Sequence, residues 1–286
     1  MIKIKYFFQF IAIVFLFSLF KLLGIKVSSF LSGKLLALIG PLFRSKRVCL
    51  SNLSVAFPDL NHSSKEKIIK GMWLNYGRML AEYMFMYKFR NTELSNNIII
   101  ENQKELEKIK NSSEPVIFIS GHFNNFELMA MYLEKSGIDL AAIYRPLNNI
   151  FLNPLMERIR KKYICKNQIK KGIAGTKEIL KFFKKGTSIA LMVDQRVSEG
   201  LQCNFFNKQA FTTTIPAQFV LKYNVKIVPI YIERIKDNNF RMRIYESLHF
   251  SKKDTLESIT LNLNKILEDM INKNPEQWIW THSRWK

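Results

Sequence analysis

The strongest pattern in the chain is at its beginning. From Tyr6 to Phe20 it reads YFFQFIAIVFLFSLF, with Gln9 and Ser18 the only polar interruptions. Lys21 follows, then LLGI, and a second apolar stretch, LLALIGPLF, fills 35–43. No small-residue cleavage site lies within a few residues, which disfavours a removable signal. The run falls short of the roughly 20 apolar residues a full span needs unless it continues past Lys21 to Ile25. It is therefore expected to be an N-terminal hydrophobic membrane-anchor helix, spanning or half-inserted. Lys3 and Lys5 precede it, and Lys21, Lys26, Lys34, Arg44, Lys46 and Arg47 follow. The heavier basic load downstream places the body of the chain on the cytoplasmic side.

Beyond the anchor, polar and apolar residues mix. The segment 47–61 ends in a turn signal, FPDLN, and a helix is expected from Ser63 or Ser64, with Glu66 close behind. A short helix is expected at 101–110. EPVIFIS (114–120) is a continuous apolar run bounded by Pro115 and Gly121, the signature of a strand buried on both faces. FELMAMYLEKSG (126–137) predicts a helix stopped by Gly137. The alternation continues with a strand at 139–145, helices at 153–163 and 175–186, and a strand at 187–194. A helix at 215–224, a strand at 226–235 and an alternating edge or antiparallel strand at 240–250 come next. A last helix runs through LESITLNLNKILEDMINK. This order predicts an α/β fold with a mixed, mostly parallel sheet flanked by helices on both faces. There is no internal repeat or long linker. The expected organisation is residues 1–45 as anchor and basic juxtamembrane segment, and 46–286 as one catalytic domain.

Composition narrows the partner. The 286 residues are 48% hydrophobic, enough for a sizeable core, and 44 Lys and Arg against 23 Asp and Glu give a net charge of +21. Such a charge implies an anionic partner, either nucleic acid or an anionic membrane and its lipids. The most basic stretch, ERIRKKYICKNQIKK (157–171), carries no recognised nucleic-acid motif and lies downstream of an anchor. Headgroup contact or a solvated helix face is expected there instead, and no nucleic acid. Cys49, Cys165 and Cys203 are too far apart for a disulfide framework or a metal-ligand pair, which fits a reducing compartment.

One stretch carries candidate chemistry. ISGHFNNFEL (119–128) places His122, one of four histidines, between a strand and a helix. Ligands of open α/β sheets gather at the carboxyl ends of strands. Residues five apart on a regular helix point about 140° apart. His122 and Glu127 can therefore cooperate only if His122 lies on the turn and Glu127 in the first helical turn. The carboxylate could then fix one ring N–H and leave the other nitrogen free as a base. The plainer alternative has His122 bonded to a nearby carbonyl and Glu127 favouring the helix N-terminus. No second histidine stands in an i, i+4 pattern, so no metal is expected.

GHFNNFE resembles the H-x4-D/E block of the lipid A biosynthesis lauroyl/myristoyl (late) acyltransferases, relatives of the glycerolipid acyltransferases. Six further blocks share the resemblance in order: RVCLSNLSVAFPD, NYGRMLAEY, AIYRPLNN, MVDQR, FFNKQAFTT and PEQWIWTHSRWK. Together they reach from about residue 47 to residue 286. The chain departs from the pattern at Asn124, Phe126 and Asn207, where the family has glycine, tryptophan and glycine, and at HSR, where it often has HRR. Asn tolerates the left-handed backbone region that glycine would use.

The resemblance implies a glycerolipid-acyltransferase-like fold and an O-acyltransferase. Its donor would be an acyl carrier protein thioester and its acceptor a 3-hydroxyacyl hydroxyl of a lipid A precursor. The place implied is the cytoplasmic face of the inner membrane of a Gram-negative cell, with no cofactor or metal. It implies His122 as general base held by Glu127. Arg145 is implied to bind phosphate or developing charge, Asp194 and Gln195 to position substrate or a basic residue, and Asn125 to contact substrate. Arg284 is a further phosphate candidate. Another glycolipid or a lysophospholipid as acceptor, and a non-catalytic protein that binds anionic lipid, remain as alternatives.

Overall fold

The computed structural model describes residues 2–43, 46–112 and 114–286. The chain opens with α1 (Ile2–Phe43), α2 (Lys46–Ala56) and α3 (His62–Glu82), and α4 (Met86–Asn91) follows a 3-10 turn at Tyr83–Phe85. Then come β1 (Ile98–Glu101), α5 (Gln103–Ser112), β2 (Ile117–Ser120), α6 (Glu127–Lys135) and β3 (Leu140–Tyr144). α7 (Leu152–Ile159) runs on into one π-helical turn, Arg160–Ile164, before β4 (Asn167–Lys170), α8 (Ile173–Phe183) and β5 (Ser188–Met192). A hairpin of β6 (Leu201–Phe205) and β7 (Lys208–Thr212) precedes α9 (Ile215–Tyr223), β8 (Ile227–Lys236), β9 (Asn239–Ile244) and α10 (Leu256–Lys273).

Among the described residues, seven strands form one sheet in the order β1-β9-β8-β2-β5-β3-β4. β8, β2, β5, β3 and β4 run parallel, while β9 is antiparallel to β8 and parallel to β1. The mostly parallel sheet with flanking helices is the α/β architecture the alternation predicts. β2 is buried at all four positions, as its unbroken apolar run requires. The strand expected at 240–250 stops at Ile244 and is the antiparallel strand of the two alternatives rather than an edge, because β1 covers its far side. β1 and β4, the two outermost strands, are short and were not expected. α3 starts earlier than Ser63, because Asn61 caps it by accepting from Ser64 N at 2.8 Å.

α1 is two helical segments meeting at Gly24, whose φ of 76° and ψ of 165° break the helix. The second segment packs closely along α3. Ser32 Oγ donates to the Gly77 carbonyl at 2.7 Å and Ser29 Oγ to Glu82 at 2.9 Å. A Cβ on Gly77 would sit 2.3 Å from the Ser32 carbonyl oxygen, so the missing side chain sets this approach. The stretch expected as a juxtamembrane segment is thus knitted into the rest of the fold. The first segment turns Phe17 and Phe20 into the core, with Phe10 and Ile13 packed against it. It leaves Ile4, Phe8, Ile11, Phe15, Leu19 and Leu22 exposed on its outer side.

Candidate active site

Register brings the site together. β2 and β5 are parallel neighbours with Ser120 opposite Met192, and Val193 N donates to the Ser120 carbonyl at 2.9 Å. Two residues further along each strand, His122 stands opposite Asp194. At Gly121 a Cβ would lie 2.8 Å from the buried Phe123 ring, so a side chain there would have to push that ring aside. Both residues lie past the carboxyl ends of central parallel strands, where open α/β sheets place their ligands.

Asp194, 2% exposed, receives every donor in reach. His122 Nδ1 lies 2.8 Å from its Oδ1, while His122 N and Trp278 Nε1 donate to Oδ2 at 2.9 and 2.8 Å. Burial alone would raise the Asp194 carboxyl, but the attraction of His122 and these donors hold it at about 2. An ionised carboxylate can only accept, so a ring with a single proton carries it on Nδ1 and leaves Nε2 bare. Gln195 Nε2 is 3.5 Å from that nitrogen, too far for a strong hydrogen bond. The Phe126 ring lies edge-on to the imidazole at 4.7 Å. The arrangement holds the imidazole in one tautomer, and a ring held this way can act as a base through its other nitrogen.

The turn bearing His122 is fastened to the segment after α10. Asn124 has φ of 30°, the left-handed side of backbone space that its departure from glycine leaves accessible. Its N donates to the Gln277 carbonyl at 2.7 Å, and its Nδ2 reaches Gln277 Oε1 and the Ile232 carbonyl, each at 2.9 Å. Phe123 forms a bridge with Trp278. The asparagine thus keeps the turn glycine would make and adds bonds that glycine lacks.

Glu127 sits elsewhere than expected. It opens α6, and its Oε1 accepts from Arg160 Nε at 2.9 Å, Arg160 Nη2 at 2.7 Å and Tyr83 OH at 3.3 Å. The orienting contact to His122 comes from Asp194, because the strand register fills the Nδ1 position before the helix begins. Burial and the neighbouring Glu127 carboxylate push the Tyr83 phenol well above its usual range, so it remains a donor. Arg160 lies between the Tyr83 and Tyr144 rings, at 5.8 and 5.3 Å, with its buried Nη1 unpartnered.

A model of the family described as bacterial lipid A biosynthesis acyltransferase matches residues 1–286, the whole chain. The chain belongs to that family. It is therefore an acyltransferase of lipid A synthesis. Among curated proteins it is similar to the lipid A biosynthesis palmitoleoyltransferase of Escherichia coli K12, 23% identical over 269 residues, 91% of this chain and 85% of that protein. The lauroyltransferase of the same strain is 22% identical over 249 residues, covering 85% of this chain and 79% of its own. The myristoyltransferase is 21% identical over 244 residues, covering 82% and 73%.

In this lipid A acyltransferase the other expected residues separate into two groups. Arg145 is exposed just past β3, and Gln195 is half-buried beside His122. Asn125 and Arg284 are each 0% exposed. Asn125 donates to Glu82 at 3.0 Å, inside a buried cluster where Arg234 also grips Glu82 at 2.6 and 3.0 Å. Substrate contact by Asn125 is not what its placement provides. Arg284 gives its two Nη groups to the Phe211 carbonyl and Thr212 Oγ1, each at 2.7 Å, beneath the Phe205 ring at 4.7 Å. Burial lowers its pKa to about 10, and no phosphate can reach it. It braces the β6–β7 hairpin instead.

Four residues that shape the site received no role from the sequence. Trp278 and Gln277 belong to PEQW, Glu82 to NYGRMLAEY, and Arg160 to the basic run. The first three stood in blocks of the resemblance, which marked them without saying what they touch. Arg160 was hidden among lysines.

Proposed function

We propose that this acyltransferase moves a fatty acyl chain from acyl carrier protein to the hydroxyl of a 3-hydroxyacyl chain on a lipid A precursor, at the cytoplasmic face of the inner membrane. His122 is the general base and Asp194 its orienter. The observation that carries this reading is the His122–Asp194 pair, which leaves Nε2 bare at the carboxyl end of β2. Nε2 takes the acceptor hydroxyl proton as the oxygen bonds to the thioester carbonyl carbon. The tetrahedral intermediate then expels the thiolate, and the imidazolium returns the proton to sulfur. The products are the new ester and the free carrier thiol. Asp194 stabilises the imidazolium without itself taking the proton. No enzyme nucleophile is needed, because the thioester is already activated.

Glu127 acts in this scheme by holding Arg160, and with it the wall formed by Tyr83 and Tyr144. Arg145, exposed one residue beyond β3, is suited to an anionic part of the acceptor. A cleft of about 460 Å³ lined by Pro154, Glu157, Arg158, Lys161 and Lys162 offers cations to an acidic donor protein. The names of the relatives support lipid A as the acceptor class.

The test is purified His122→Ala incubated with acyl carrier protein thioesters and a tetra-acylated precursor, the product read by mass. General-base loss typically slows a reaction about 100- to 10,000-fold. A wild-type rate from His122→Ala would refute the mechanism. Acylation of a lysophospholipid but not of the precursor would reassign the acceptor.

A further inference from the structure

The first segment of α1 is apolar all round, yet only one side of it meets protein. Phe17 and Phe20 are buried in the core, while Ile4, Phe8, Ile11, Phe15, Leu19 and Leu22 face outward at helical spacing. Length alone does not settle how such a helix meets a bilayer. The packing of its far end does. Near its N-terminus, Asn149 Nδ2 donates to the Tyr6 carbonyl at 2.8 Å, and the Phe7 ring meets Phe151 at 5.6 Å. At 1.5 Å per residue, Tyr6 lies about 27 Å along the helix from Gly24. The loop gripping it is polar and charged at its borders: Arg145 and Asn148 before, Arg158, Lys161 and Lys162 after, all exposed. A perpendicular span would carry these groups through the hydrocarbon along with Tyr6, where each would be costly.

We infer that α1 does not cross the bilayer but lies in one leaflet along the body of the enzyme, and that Ile150 and Phe151 enter the same leaflet beside it. Ile150 is 53% exposed and Phe151 36%, continuing the outer apolar face of α1. The occupant of this face is the acyl region of an anionic bilayer. The charge supports that choice: residues 1–58 contain no Asp or Glu, and Lys3, Lys5, Lys21, Lys26 and Lys34 are exposed. The loop that ends in Phe151 also begins with Arg145, so this seating brings Arg145 to the headgroup layer. It rests on packing and not on the catalytic scheme, so failure of one leaves the other standing.

Full-length Lys3→Cys and Lys185→Cys variants in sealed membrane vesicles test it with an impermeant maleimide. The native Cys49, Cys165 and Cys203 are buried, so the added thiols react selectively. Both are expected to label from the same side. Labelling of Lys3→Cys only from the side opposite Lys185→Cys overturns the inference. A fluorophore on Ile150→Cys is expected to lose most of its emission to lipids bearing a quencher high on the acyl chain. Unquenched emission overturns the loop's part. Cross-linking of Phe15→Cys between chains that persists in excess phospholipid would assign the face to a second copy and also overturns it.

Discussion

Asp194 takes both the ring Nδ1 and the backbone N of His122, at 2.8 and 2.9 Å, through its two oxygens. One buried carboxylate therefore sets the tautomer of the His122 imidazole and the path of the turn that carries it. Asp194→Asn keeps the shape but can present an N–H to Nδ1, forcing the proton onto Nε2. The expected fall in kcat is about a thousand-fold or more, with KM little changed. Steady-state kinetics on a folded variant decides this, and a kcat within threefold of wild type would contradict it.

The same carboxylate predicts a stability signature. Its folded pKa of about 2 lies below its ordinary 3.8, so its stabilising contribution is complete above pH 4 and is lost as pH falls toward 2. Unfolding measured across this window should show a steeper decline for wild type than for Asp194→Asn.

His282 gives a second, separate pH window. Its Nε2 accepts from Arg196 N at 2.9 Å, and burial first of all pushes its pKa down to about 4 from 6.5. The unfolded chain thus binds a proton that the folded chain refuses between these values. Stability should fall as pH drops from 6.5 to 4 and level off below, and His282→Gln should flatten that part of the curve.

The Glu82–Arg234 pair is buried at both ends, with side-chain exposures of 0% and 6%. Ser29, Asn125 and Asn238 also donate to Glu82, tying α1, the His122 turn and the β8–β9 connection to α3. Glu82→Gln or Arg234→Met alone should cost about 3–5 kcal/mol, because each strands a buried charge or its donors. The double variant should cost clearly less than the sum, as read by denaturant unfolding.

Asn124 separates two effects. Asn124→Gly keeps the backbone but loses the side-chain bonds to Gln277 and Ile232, for about 1–2 kcal/mol. Asn124→Ala loses the same bonds and adds the strain of a positive φ, about 1 kcal/mol more. An alanine variant as stable as the glycine variant would show that the turn relaxes.

Much of the sheet was legible because parallel strands buried on both faces leave unbroken apolar runs, as in EPVIFIS and TSIALMVD. His122 was legible for the same reason: a polar residue directly after such a run is conspicuous. Asp194 was expected to position substrate or a basic residue, but its pairing with His122 was not legible, since it is 72 residues away and only strand register joins them. Glu127 was close in sequence and looked the better partner; the register and Arg160 decided otherwise. The β6–β7 hairpin escaped because its two-residue turn is Phe206-Asn207, with φ of 51° and 57°, where Asn-Gly would have announced it. β4 was missed because NQIK holds a single apolar residue and lies within a stretch whose charge dominated its reading.

The fastening of His122's turn to Gln277 and Trp278 also has a consequence in time. On the ribosome, His122 and Asp194 emerge and can pair as soon as β5 joins β2. Trp278, Gln277 and the Arg284 brace under the hairpin appear only after every strand has been made. A nascent chain can thus pair His122 with Asp194 before Trp278, the third donor to that carboxylate, has been made. The fastening of the His122 turn is therefore the last part of this region to form, long after α1 has left the ribosome.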